Sequence, residues 1–141
     1  MLNMLVPVEG STNSDRAVDY LIKFIQQLRS PACIHLLNVK PPLHGEVGMF
    51  LDADQIRQYH HDEGMKALES AQHKLDAAGI DYTLHVLVGK PEEMVVRYAE
   101  EHQCDQIVLG TRGLGKLAQI FLDSVASSII EHSTIPVLLV K

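Results

Sequence analysis

The sequence predicts an α/β domain in which a parallel β-sheet is covered by helices on both faces. Short runs rich in Val, Ile and Leu, typical of buried strands, alternate with segments whose apolar residues recur at helical spacing. Strands that alternate with crossover helices form parallel sheets, because the chain must return to the same end of the sheet before each new strand. The chain has 141 residues, of which 46% are hydrophobic, and this size suits one domain over residues 1–141. We therefore expect a single open, Rossmann-like α/β sandwich.

Five apolar runs are the strand candidates. Each is short and nearly continuous in its apolar character, without the strict alternation that marks a sheet exposed to water on one face. Such runs predict strands that are buried on both sides. The five runs are Met4–Val8, Ile34–Val39, Tyr82–Val88, Gln106–Leu109 and Pro136–Val140.

The first two intervals between strands have the apolar periodicity of amphipathic helices. The first interval carries one apolar stripe, made of Val18, Leu21, Ile22, Ile25 and Leu28. The second helix is expected from about Asp52 to Gly79, since glycine tolerates the left-handed conformation that ends many helices. The residues that mark its inward face are Ile56, Met65, Leu68, Ala71, Leu75 and Ala78.

The last two helices are also indicated by their sequences. Pro91 suits a first helical position, where no N–H is required, and Glu92 and Glu93 complement the helix dipole. The residues expected on the inward face of this helix are Val95, Tyr98, Ala99 and His102. The other helix is expected at Ser124–His132, with Val125, Ala126 and Ile129 facing inward.

The charge balance argues against nucleic acid and membrane surfaces as general partners. Twelve Lys and Arg residues against eighteen Asp and Glu residues give a net charge of −6, which repels phosphate backbones and acidic lipids. The sequence shows neither a secretory leader pattern nor a window approaching the roughly 18 apolar residues of a membrane span. Cys33 and Cys104 lack CxxC or disulfide-type spacing, so we expect two buried free thiols and a cytoplasmic protein.

Two turns at the carboxyl ends of predicted strands are candidates for a ligand site, since open parallel sheets bind ligands there. The first, at 7–12, places an acid and two hydroxyls before a helix. The second, at 110–116, has three glycines and two basic residues, so its backbone N–H groups can approach an anion closely. It nearly matches the phosphate-binding G-x-x-x-x-G-K loop. However, Leu117 replaces the Ser or Thr that binds magnesium, so we interpret the match as coincidental.

No catalytic or metal-binding constellation is recognised in the sequence. His60, His61 and Glu63 are close along the chain but lack the spacing of a helical metal motif, and adjacent histidines face different sides of a helix. No G-x-S-x-G elbow occurs, and Cys104 has no evident catalytic partner. The segment Pro41–Leu51 is the longest irregular stretch, and it is either a lid or contact surface or an ordinary solvent loop.

Several motifs resemble the universal stress protein family over essentially the whole chain. They are Val6–Ser11, Gly89–Glu93, Asp105–Gly115, Ser124–Ala126 and Ile135–Val140, and those in the C-terminal third are the most specific. The resemblance implies the strand order 3-2-1-4-5, which places the switch point of the sheet between the two turns described above. It also implies a homodimer formed through the last strand, with an interface at Ile135, Pro136, Val137, Leu138, Leu139 and Val140.

The ATP-binding pattern of the family is matched only in part. It reads G-x-x-G, nine residues, then G-[ST]; Gly110, Gly113 and Ser124 match, while Asp123 replaces the third glycine. In members that bind ATP, the phosphates lie at this turn and at the start of the last helix, so Asp123 would place a carboxylate beside them. One like-charge pair at roughly 4 Å costs about 4 kcal/mol at an effective dielectric of about 20. Asp123 would also be a strong N-cap, satisfying the amides that a phosphate would use.

The resemblance further implies which residues surround a nucleotide. Glu9 stands where binding members usually have Asp near the adenine. Val39 matches a position that often lines the adenine pocket, although strand packing alone would explain a valine there. Arg112 either contacts phosphate or holds Asp123. The candidate set is Pro7, Val8, Glu9, Ser11, Val39, Leu109, Gly110, Arg112, Gly113, Gly115, Ser124, Val125 and Ala126.

The function implied is that of a cytoplasmic, homodimeric stress-response module that binds or signals, is not a dedicated enzyme, and binds ATP weakly or not at all. One alternative is a genuine ATP or AMP sensor in which magnesium offsets Asp123. A second is a nucleotide-hydrolysing enzyme with Lys116 as its phosphate contact. A third is an interaction module whose Pro41–Leu51 loop docks a protein partner. No nucleic acid, membrane or resident metal is expected as a partner.

Overall fold

A parallel sheet of five strands organises the part of the chain that the structure, a computed structural model, describes: residues 1–43, 49–111 and 124–141. The strands are β1 (Leu2–Pro7), β2 (Ala32–Lys40), β3 (Tyr82–Val88), β4 (Gln106–Gly110) and β5 (Val137–Val140). Their spatial order is β3-β2-β1-β4-β5, and every neighbouring pair is parallel. The predicted fold class and the strand order 3-2-1-4-5 are therefore confirmed.

Helices follow the strands and begin and end where the sequence provides caps. The described residues form α1 (Thr12–Gln26), α2 (Ala53–Ala77), α3 (Pro91–Glu101) and α4 (Ser124–His132). Asp52 starts α2 with a capping box, in which its carboxylate accepts from the Gln55 amide while the Gln55 side chain accepts from the Asp52 amide. At the other end Gly79 has a φ of 68°, as predicted for a glycine cap, and the amide of Ile80 donates to the carbonyl of Leu75.

The two faces of the sheet carry separate apolar clusters, so the core has two layers. One face packs against α1 and α2, and its fully buried residues include Met4, Val6, Leu21, Ile34, Leu36, Leu68 and Leu75. The other face packs against α3 and α4, with Leu5, Leu37, Val95, Tyr98, Ile107 and Ile129 at its centre. Successive residues of a strand point to opposite faces of the sheet, and helices cover both faces. Apolar residues are therefore buried whichever face of the sheet they point to. No helix among the described residues has the length and apolar character needed to cross a membrane.

Three details differ from the sequence-based expectations. Helix α1 ends at Gln26, so Leu28 lies beyond it and does not continue the helical stripe. His102 lies on the same face of α3 as Tyr98, as expected, since the two rings stack, but it is the C-cap residue beyond the end of the helix and is exposed. Cys104 is buried as predicted, whereas Cys33, the second residue of β2, is only half-buried.

Candidate functional site

A cavity of about 320 Å³ opens at the carboxyl ends of β1, β2 and β4, between the starts of α3 and α4. This is the point where the strand order reverses direction, and ligands of open α/β sheets bind at such switch points. We call it the switch-point cavity. It is lined by Pro7, Val8, Glu9, Ser14, Leu37, Asn38, Val39, Pro91, Val95, Leu109, Gly110, Val125, Ala126 and Ile129.

Most of the predicted nucleotide-binding residues that the structure describes lie in this wall. Those brought together are Pro7, Val8, Glu9, Val39, Leu109, Gly110, Val125 and Ala126. Ser124 is the first residue of α4, next to them. Arg112, Gly113, Gly115, Lys116 and the substituted position Asp123 lie outside the described residues. The apolar half of the candidate site is thus present as one surface.

Ser11 does not line the cavity, and its hydroxyl has local partners. It is the N-cap of α1, where Oγ accepts from the amide of Ser14 at 3.5 Å and donates to Oε1 of Glu9 at 2.7 Å. The hydroxyl of Ser14 in turn donates to the Ser11 carbonyl at 3.0 Å. Ser11 therefore orients the Glu9 carboxylate at the edge of the cavity and caps the start of α1, which is a positioning role with respect to any ligand.

Asn38 is a wall residue that the sequence interpretation missed. It is only 2% exposed, and its Nδ2 donates to the carbonyl oxygen of Val8 at 2.7 Å, which ties the ends of β1 and β2 together. Its Oδ1 is buried and has no hydrogen-bond partner among the described residues. Buried polar atoms are nearly always hydrogen-bonded, so this oxygen is an unused acceptor on a residue of the cavity wall. A single amide in an apolar strand was the signal that could have revealed it.

Gly110 is required by packing as well as by its place in the cavity wall. A Cβ built on Gly110 would overlap the carbonyl group of Asn13, so the first turn of α1 lies directly against the end of β4. The sequence interpretation attributed this glycine to the approach of an anion. The structure shows that protein backbone already uses the space on its Cα.

Arg16 is a second residue whose role near the site is not indicated by any motif in the sequence. Its Nη2 donates to the carbonyl oxygen of Thr111 at 3.1 Å and also to the side chain of Asn13. The amide of Thr111 donates to the Val140 carbonyl at 2.8 Å, so Thr111 is held from α1 and from β5. Because Thr111 is the second residue of the turn at 110–116, Arg16 places a positive charge near the beginning of this turn, although the two residues are 95 positions apart in sequence.

A cluster of aromatic and imidazole rings lies on the same face of the sheet, outside the cavity. We call His35, His85, His102 and Tyr98 the imidazole cluster. The rings of Tyr98 and His102 stack with centroids 3.8 Å apart, and His102 lies 5.9 Å from His35 and 5.8 Å from His85. Among the residues described, no group of three His, Cys, Asp or Glu side chains is arranged to hold a metal ion.

Burial controls the protonation of this cluster. Desolvation lowers the pKa of His35 and of His85, and the nearby His102 lowers both further by charge repulsion. Desolvation also raises the pKa of Tyr98 to about 12 and the pKa of the neighbouring Cys104 thiol to about 11. Each shift favours the uncharged form, so the thiol of Cys104 is a poor nucleophile at neutral pH.

The parallel order and the cavity at the strand reversal define an open α/β protein of the kind that takes ligands at a topological switch point. The family model for universal stress proteins matches residues 1–141, and the chain belongs to the universal stress protein family.

Individual relatives agree with this assignment. Universal stress protein YxiE of Bacillus subtilis is 30% identical over 146 aligned residues, which cover 98% of this chain and 97% of that one. The solved structure of MJ0577, a universal stress protein of Methanocaldococcus jannaschii, superposes with a TM-score of 0.79 at 27% identity, covering 99% of this chain and 94% of that one. A universal stress protein solved in complex with cAMP superposes with a TM-score of 0.65 at 25% identity, and the superposition covers 99% of this chain and 95% of that one.

Proposed function

We propose that this protein is a homodimeric stress-response module that binds a nucleoside monophosphate in the switch-point cavity, binds ATP weakly or not at all, and carries out no dedicated catalysis. The observation that carries the proposal is the cavity of about 320 Å³ with its buried, unpartnered Asn38 oxygen. A related universal stress protein has been solved with cAMP, which supports a nucleotide as the ligand.

The walls of the cavity suit a nucleobase. Val8, Val39 and Leu109 provide apolar surfaces from three adjacent strand ends, against which a flat ring can pack. Asn38 offers an acceptor oxygen, and the exocyclic amino group of adenine is a donor. An adenine base would therefore satisfy the acceptor that the protein leaves unpaired. This pairing favours adenine over bases that present only acceptors at the corresponding edge.

The phosphate side of the cavity limits how much negative charge can bind. The N-terminus of α4 favours an anion, but Asp123 directly precedes α4 in sequence and brings its own negative charge. A triphosphate carries more negative charge than a monophosphate, so the same carboxylate opposes it more strongly. We therefore expect AMP to bind more tightly than ATP.

The absence of catalysis is proposed from the residues in the wall. Glu9 is the ionisable side chain among the described lining residues, and its carboxylate is engaged by Ser11. Leu117 also stands where a phosphate loop needs a hydroxyl for magnesium. The free cysteines Cys33 and Cys104 fit a reducing compartment, so we propose the cytoplasm as the location.

Calorimetric titration of AMP and ATP, each with and without magnesium, tests the proposal. Wild-type protein should bind AMP, and Asp123→Gly should raise the affinity for ATP by at least about tenfold while changing that for AMP less. Asp81→Gly, which removes an exposed carboxylate from the turn before β3, is the matched control and should change neither affinity. Failure of AMP to bind would overturn the proposed ligand. Equal ATP affinity in wild type and Asp123→Gly would overturn the role of Asp123.

A further inference from the structure

A second cavity lies at the outer edge of the sheet, between α2 and β3. Its volume is about 440 Å³, within the range of about 300–1,000 Å³ that small-molecule pockets occupy. It is lined by Pro42, Leu43, Ile56, Arg57, His60, His61, Val86 and Val88. None of these residues lines the switch-point cavity, so the two sites are separate. We call it the edge cavity.

The lining of the edge cavity combines an apolar floor with basic and imidazole groups. Its floor and sides are made by apolar residues from the loop after β2, from α2 and from β3. Its polar lining consists of Arg57, His60 and His61, and no carboxylate is among the lining residues. A surface of this kind complements a molecule that has an apolar body and a negatively charged head.

His60 is the independent sign of a ligand. Its residue surface is only 5% exposed, and its Nδ1 is buried without a hydrogen-bond partner among the described residues. Buried polar atoms are normally paired, and the edge cavity is the space that this residue lines. With the proton on Nδ1, His60 would donate to an acceptor placed in the cavity.

The inner end of the edge cavity is held at a fixed width by a close contact. A Cβ on Gly64 would overlap the side chain of Val86, so α2 approaches β3 as closely as a glycine allows. His60 lies four residues before Gly64, on the same face of the helix. Because Val86 also lines the cavity, the contact that sets the distance between helix and strand also forms one wall. The wall formed by α2 and β3 is thus fixed by the packing of a helix on a strand.

We propose that the edge cavity binds a small organic anion with an apolar body, of the class of medium-chain carboxylates. The chain would lie against Ile56, Val86 and Val88, and the carboxylate would accept from His60 and Arg57. Arg57 already donates to Asp54 through Nη2, but a guanidinium has five donors and its side chain is 75% exposed. This site is independent of the proposed nucleotide function, since it shares no lining residue with it.

Titration of the full-length protein with decanoate, below its micelle concentration and followed by calorimetry and by two-dimensional amide NMR, tests the proposal. Decanoate should bind and shift amides of α2 and β3. Acetate, which lacks the apolar body, and decanol, which lacks the charge, should each bind at least about tenfold more weakly. Saturating AMP should leave decanoate affinity unchanged. Vesicles of phosphatidylcholine and phosphatidylglycerol should not retain the protein, which distinguishes a free ligand from a membrane lipid.

Variants assign the binding to this cavity. Arg57→Ala removes an exposed side chain that the fold does not need, and His60→Leu removes the buried donor; each should weaken decanoate binding by about tenfold. His73→Leu changes an exposed histidine of the same helix and should leave decanoate affinity unchanged. No binding of decanoate, equal binding of decanol, retention by the vesicles, or unchanged affinity in both Arg57→Ala and His60→Leu would overturn the proposal.

Discussion

The hydroxyl oxygen of Tyr98 lies 2.9 Å from Nδ1 of His35, a contact that joins α3 to β2 within the imidazole cluster. His85 lies beside the same tyrosine, with ring centroids 5.0 Å apart. Because burial lowers the pKa of both histidines, His35 and His85 are packed in their neutral forms. Protonation must therefore work against the folded state.

We expect the stability of the protein to fall as the pH decreases below about 6.5, the ordinary value for histidine. Below that pH the unfolded chain binds more protons than the folded one, since the folded pKa values of His35 and His85 are lowered. Between that pH and the alkaline range in which Tyr98 ionises, these two histidines contribute no pH dependence. Urea unfolding at pH 7.5 and 5.5 should show the loss. His85→Gln, which cannot be protonated, should reduce it, whereas His73→Gln, an exposed change on α2, should not.

Replacing Asn38 by leucine should destabilise the protein by about 1–3 kcal/mol, the cost of leaving a buried polar group unpaired. The carbonyl of Val8 would lose the amide that it accepts from at 2.7 Å. Equilibrium urea unfolding measures the change. Gln26→Leu, at the exposed end of α1, should stay within about 0.5 kcal/mol of wild type. Asn38→Leu should also weaken AMP binding, and an unaltered AMP affinity would contradict the role of its Oδ1 in base recognition.

Gly110→Ala should cost more stability than Gly79→Ala, although both replace a glycine by one methyl group. At Gly110 the new Cβ meets the Asn13 backbone, which must move, and overpacking of this kind costs about 1–3 kcal/mol or more. At Gly79 no atom lies within 4 Å, and the cost is the strain of alanine at a φ of 68°, about 1 kcal/mol. Thermal unfolding of the two variants compares them directly. The opposite ranking would contradict the close packing of α1 on β4.

A charged residue on β5 should prevent the proposed dimer. In the described part of the sheet β5 pairs with β4 on one side, and Leu139 on this edge strand is 36% exposed. Exposed apolar edges are normally covered, and a second copy of β5 would cover this one. Light scattering coupled to size-exclusion chromatography should find a dimer for wild type and a monomer for Leu139→Lys. Val88→Lys, on the opposite edge strand β3, is the control that should remain dimeric.

Most of the architecture could be predicted from the sequence because it depends on local patterns. Apolar runs, helical periodicity and the glycine at Gly79 each report a property of neighbouring residues, and the structure confirms them. The differences from the predictions concern positions near the ends of elements: Leu28 and His102 continue the apolar spacing of α1 and α3 beyond the last helical residue, and the half-buried Cys33 lies near the start of β2. The spacing of apolar residues identifies the buried face of a helix, but it does not show at which residue the helix ends.

The location of the candidate site could be predicted from the sequence, but the polar contacts within it could not. The rule that ligands bind at strand ends selects Val8, Val39 and Leu109 without any knowledge of contacts. Asn38 and Arg16 acquire their roles from partners distant in sequence, the carbonyls of Val8 and Thr111, and no local pattern reports such pairs. The prediction for Asp123 stays a prediction, since that residue lies outside the described part of the chain.

Thr111 connects the glycine turn at 110–116 to the edge strand β5. Its carbonyl accepts from Arg16 of α1, and its amide donates to the carbonyl of Val140 in β5. A ligand that displaces Thr111 must therefore also shift the end of the strand through which subunits are proposed to associate. Nucleotide binding and dimerisation would then be coupled by one free energy. Nucleotide would change the dimer dissociation constant by a certain factor, and dimerisation would change the nucleotide affinity by the same factor. In that case the concentration of the protein would itself set its sensitivity to the nucleotide.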